Sequence, residues 1–130
     1  MAFVTEPPRL SNLLKMEEDP SYCREEVTVL AGSGSDRELR IGTVLGRITA
    51  SGKVVGLNLA ASDGSQTVWG LLISNTTAPD GVDATGVALV RGPAIVSDAA
   101  LIYPAGATAP QKTTINSALI MLGIIVRQGV

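Results

Sequence analysis

The sequence predicts an α+β fold that is mostly β: a compact β-rich domain with one C-terminal helix and an extended N-terminal arm. Three observations carry that prediction. Short β-branched apolar runs alternate with glycine-containing turns through the middle of the chain, helix-start chemistry occurs clearly once, and prolines punctuate the first twenty residues. A chain of 130 residues forms one domain, divided here into an arm, residues 1–21, and a β-rich body, residues 22–130.

In the arm, Pro7, Pro8 and Pro20 leave room for barely two helical turns around Leu10, Leu13 and Leu14. The first body strand is short, around Val27-Thr28-Val29, and the run from Ala31 to Asp36 reads as a flexible, glycine-rich loop. Next comes LGRITASGKVVGL, Leu45 to Leu57. Its first half belongs to a strand from Ile41 to Ala50, with Val44, Gly46, Ile48 and Ala50 on one face and Leu45 and Arg47 on the other. Ser51-Gly52 supplies the turn, and Lys53 to Leu57 returns antiparallel.

Ser62-Asp63-Gly64-Ser65 has turn chemistry, and Thr67 to Ile73 is a strongly apolar strand holding Trp69, the single tryptophan. Trp69 reads as a core or interface anchor rather than a ligand-stacking platform. Asn75 to Gly81 is another turn-rich loop, followed by strands at Gly86–Gly92 and Pro93–Val96. Thr108 then caps a helix with Gln111 reaching back, Pro110 sits in its first turn, and Gly123 suits the residue past its end. Ile115, Ala118, Leu119 and Leu122 form the apolar face of that helix, and Ile124 to Val126 is a last strand. Strands with so few intervening helices argue against a doubly wound nucleotide-binding fold.

The residue inventory excludes most chemistry. There is no histidine, and Cys23 stands alone, so neither an intrachain disulfide nor a thiolate metal cluster can form and no imidazole can activate the thiol. Glu17, Glu18 and Asp19 lie in the arm, Glu25 and Glu26 begin a strand, and Asp63, Asp80, Asp83 and Asp98 fall singly in loops, where backbone hydrogen bonding is the ordinary work of a carboxylate. Gly32-Ser33-Gly34-Ser35 lacks the lysine and hydroxyl of a phosphate loop. Ten basic residues are scattered in a chain of net charge -2, which provides no nucleic-acid surface. The N-terminus lacks a signal-peptide pattern, and the longest apolar run, Ala118 to Val126, is about half of a bilayer span. The expectation is a non-enzymatic protein made in the cytoplasm, without cofactor or metal, binding neither nucleic acid nor membrane. Lys53, beside a tight turn, keeps open a biotinyl- or lipoyl-like carrier, although its Gly-Lys-Val context differs from theirs. Some other small β-rich interaction module is the remaining alternative. With 45% hydrophobic residues in so small a chain, burial between subunits through closed symmetry is the economical arrangement.

The block Leu39 to Thr49, the run Ala60 to Thr67, Trp69-Gly70-Leu71-Leu72, Val90-Arg91-Gly92 and the Thr108-Ala109-Pro110-Gln111-Lys112 helix start occur in an order and spacing that resembles the lambda D-like head decoration proteins of tailed bacteriophages. The resemblance covers Leu30 to Arg127 and is most specific in the Gly-Thr-Val-Leu-Gly block and the Asp-Gly-Ser-Gln turn. It implies a homotrimeric capsid-stabilising structural protein on the outer surface of the virion. Its partner is the major capsid protein, and it cements the expanded head against the pressure of packaged DNA. On that reading Pro7, Pro8, Leu10, Leu13 and Leu14 are capsid-binding residues of the arm, and Trp69 is a core or trimer-interface anchor.

Overall fold

Alternating β-branched residues on both sides of the chain's glycine turns close five strands into a barrel. The computed structural model describes residues 9–128. In chain order the elements are α1 (Leu10–Leu13), β1 (Leu14–Glu17), α2 (Pro20–Cys23), β2 (Arg24–Val29), β3 (Arg37–Leu39), β4 (Val44–Arg47), β5 (Val54–Gly56), β6 (Val68–Leu72), β7 (Thr76–Ala78), β8 (Ala84–Leu89), β9 (Ala94–Ser97), α3 (Ala109–Met121) and β10 (Ile124–Arg127). The barrel order is β2-β5-β4-β6-β8; β1-β9-β10 form a second sheet and β3-β7 a two-stranded ribbon.

Every barrel strand sends a residue to one buried cluster containing Val27, Val29, Leu45, Val54, Leu72 and Ala88, which fills the lumen. A larger cluster lies outside the β4-β6-β8 wall. There Val44, Leu71 and Leu89 meet Val96 of β9, Ile124 of β10, and Ile115 and Leu119 of α3. The wall therefore has core on both sides. For that reason Val44 and Leu45, on opposite faces of the strand, are both buried.

The expected hairpin forms, with Leu45 opposite Gly56 and Arg47 opposite Val54. Its first strand is shorter than Ile41 to Ala50. At the front Thr43 folds back on Arg40, donating to its carbonyl from both N–H (3.1 Å) and hydroxyl (2.7 Å). At the far end Ile48 N–H donates to Lys53 O at 2.9 Å as the turn begins. The C-terminal helix follows its signals: Gln111 Oε1 accepts from Thr108 N–H at 2.8 Å, Thr108 Oγ1 accepts from Gln111 N–H, and Gly123 leaves the helix at φ +87°.

Three expectations are corrected. The turn-rich loop expected from Asn75 to Gly81 holds a strand, β7, which pairs antiparallel with β3. The loop after β2 is pinned rather than flexible, since Gly34 N–H donates to Asp80 Oδ1 (2.9 Å) and Asp80 N–H to Asp36 Oδ1 (3.1 Å). The second half of the expected arm is folded onto the body. α1 packs on the larger cluster, and β1 runs antiparallel to β9 with Met16 opposite Ile95. The body supplies an open β9 edge there, which outweighs the helix-breaking prolines. Residues 1–8, with Pro7 and Pro8, lie outside the described residues.

Candidate functional site

The residues expected to bind a capsid are distributed between the protein's own interior and its surface. Leu13 is fully buried, so it belongs to this chain's core and is not available to fill a pocket elsewhere. Leu10 and Leu14 are half-buried against the same cluster. The segment is held further by Glu18 N–H donating to Pro93 O (2.9 Å), by Arg24 donating to both Glu17 carboxylate oxygens, and by Asp19. Asp19 caps α2 by accepting from Ser21 Oγ (2.7 Å) and Ser21 N–H (2.9 Å), bonds that hold its carboxyl below the usual carboxylate range.

The two most specific sequence blocks meet in space. Gly46 of β4 lies under the Asp63–Gln66 turn, where a side-chain Cβ would stand 2.2 Å from Ser65 O. Asp63 Oδ1 accepts from Ser65 Oγ (2.5 Å) and Ser65 N–H (3.0 Å), which lowers its pKa, while Thr49 N–H donates to Asp63 O at 2.9 Å. Glycine at 46 is thus a requirement of close backbone approach. Beside this junction β6 presents Trp69, half-buried against the lumen cluster, with the Arg47 guanidinium 5.4 Å from its ring. Arg47, Thr49, Gln66 and Trp69 line a shallow open cleft of about 440 Å³. It contains no carboxylate, thiol or amine.

Trp69 was legible as the lone tryptophan, but Arg47 was not. Their proximity depends on the β4–β6 pairing, whose register shifts between Leu45 and Gly46.

Away from the cleft, Lys53 and Arg91 are each held in an ion pair. Lys53 Nζ lies 2.7 Å from Asp83 Oδ2, and Asp83 Oδ1 accepts from Ala31 N–H at 2.9 Å. The lysine bond first, and then the backbone bond, hold the Asp83 carboxyl below its ordinary range. The Lys53 amine is therefore engaged by a carboxylate, unlike the freely presented lysine of a carrier module. Arg91 joins Glu25 (2.6 Å) and the Tyr22 carbonyl (2.5 Å), and its bond to Glu25 raises its pKa. Among the described residues, no group of three or more His, Cys, Asp or Glu is placed to hold a metal ion, and no helix is long and apolar enough to cross a membrane.

No curated protein matches the chain. The family model described as bacteriophage lambda head decoration protein D matches residues 3–124.

Proposed function

The chain belongs to the bacteriophage lambda head decoration protein D family, a structural family, and from that premise we propose how it works: as a homotrimer on the outside of an expanded phage head, cementing the shell against the pressure of packaged DNA. It is made in the host cytoplasm and its partner is the major capsid protein. The observation that carries this reading is the extent of the family match, which reaches from residue 3 through the barrel and α3 to the start of β10. The barrel wall is packed on both sides, so the body is stiff and loses little conformational freedom when it bridges neighbouring capsid subunits.

Residues 1–8, including Pro7 and Pro8, serve as the capsid-binding arm, adding main-chain hydrogen bonds to an exposed edge of the shell protein. Once one arm of a trimer has engaged, the other two bind at high effective concentration, so weak single contacts suffice for a clamp.

Co-sedimentation with decoration-free heads tests the proposal, using expanded and unexpanded shells and both the full chain and a chain lacking residues 1–8. The expected result is saturable binding of the full chain to expanded shells only, weakened at least tenfold by the deletion. Binding to neither shell overturns the decoration reading, and undiminished binding of the shortened chain overturns the arm.

A further inference from the structure

Charge is sparse in the C-terminal quarter of the chain: between Asp98 and Arg127 the only charged residue is Lys112. α3 lies in this stretch, and it is largely exposed. Only Ile115 and Leu119 are buried, Lys112 is turned over the Tyr103 ring at 5.4 Å, and Asn116 accepts from the Tyr103 hydroxyl at 2.7 Å. At 3.6 residues per turn the side opposite Ile115 and Leu119 is an arc of about 120° centred on Ser117 and flanked by Thr113, Thr114, Ile120 and Met121. All five are exposed, Ile120 at 57% and Met121 at 87%.

The polar atoms on this arc are already satisfied. Thr113 Oγ1 donates to Ala109 O (3.2 Å), Thr114 Oγ1 to Pro110 O (3.0 Å) and Ser117 Oγ to Thr113 O (3.0 Å). Their donors point back along the helix, which leaves methyl and methylene groups toward the outside. A solvated helix face ordinarily carries charge, and this one carries none while exposing two large apolar side chains.

We infer that this face of α3 is where copies of the chain meet around the three-fold axis, an inference that rests on the trimer proposed above. Charge complementarity selects the occupant. Around a rotation axis each residue near the centre faces its own copies, so any ionised side chain there meets like charge, and only a neutral surface complements itself. The width of the arc also fits. Ser117, the smallest of the five, lies nearest the axis, while the Thr113–Ile120 flank of one copy meets the Thr114–Met121 flank of the next.

The test is the mass in solution of the full chain and of a Ser117→Glu/Met121→Glu double variant, measured by light scattering. Circular dichroism establishes that each is folded, and Met16→Glu on the exposed face of β1 serves as the control. The wild type and the control are expected to be trimers, and the double variant a folded species of one third the mass. As a check independent of that variant's folding, mild oxidation of Ser117→Cys is expected to give covalent dimers, without interference from Cys23, which is fully buried. A wild type that is monomeric at all concentrations overturns the trimer itself. A trimeric double variant, or a trimeric Ser117→Cys protein that does not cross-link, overturns only the assignment of the face. So does a double variant that stays trimeric and loses binding to expanded heads, because the face then belongs to the shell contact.

Discussion

β2 and α3 both bury one side and expose the other, yet their outer surfaces are opposites. β2 turns Val27 and Val29 into the barrel and shows Glu25, Glu26 and Thr28 outside, with Glu25 tied to Arg91. α3 turns Ile115 and Leu119 into the larger cluster and shows hydroxyls bonded to their own backbone, with Ile120 and Met121 beside them. The first surface is built to stay hydrated and the second to lose water. On the trimer proposed above, that contrast assigns the subunit contact to α3 and not to β2.

The largest effect expected on this contrast comes from the inner side of α3. Leu119→Ala removes a fully buried side chain and is expected to lower folding stability by about 2–5 kcal/mol in urea denaturation. A loss under 1 kcal/mol would mean that the helix is not anchored as described. Next come matched charges on the two outer surfaces. Thr28→Lys is expected to leave mass unchanged and stability within about 0.5 kcal/mol, whereas Thr114→Lys leaves the helix folded and makes the trimer dissociate on dilution. Equal behaviour of the two variants would erase the distinction.

The smallest effect is one of pH. Asp83 has a folded-state pKa below its unfolded value, so its contribution to stability is present above the ordinary carboxylate range and is lost as pH falls through it. The urea midpoint should therefore fall on acidification, and less so in Asp83→Asn. No carboxylate lies on α3, so subunit mass should stay constant through the same window while the chain remains folded.

The legible parts of the fold were those whose signals are local. α3 announced both ends, through Thr108 with Gln111 and through Gly123, and the hairpin announced its turn at Ser51-Gly52. What the sequence left hidden depends on partners far along the chain. β1 is a strand because β9 offers it an edge, and Leu13 is core because the larger cluster has room for it. β3 and β7, Arg37–Leu39 and Thr76–Ala78, are three residues each and mostly polar, so they carry almost no periodic signal and exist by pairing with one another. The barrel closes through a single parallel pairing, Val29 with Val54, that no local pattern encodes. At the cleft, Trp69 was visible as a lone aromatic, while Arg47 required the β4–β6 register. The α3 face escaped notice because its apolar residues, Ile120 and Met121, fall outside the stripe formed by Ile115 and Leu119.

The central claim is that this protein holds a pressurised shell together, and the most direct measurement is the temperature at which DNA-filled, expanded heads release their DNA, with and without saturating protein. The account predicts that release moves to higher temperature in step with occupancy. Full occupancy, verified by co-sedimentation, with release at the temperature of bare heads would contradict it.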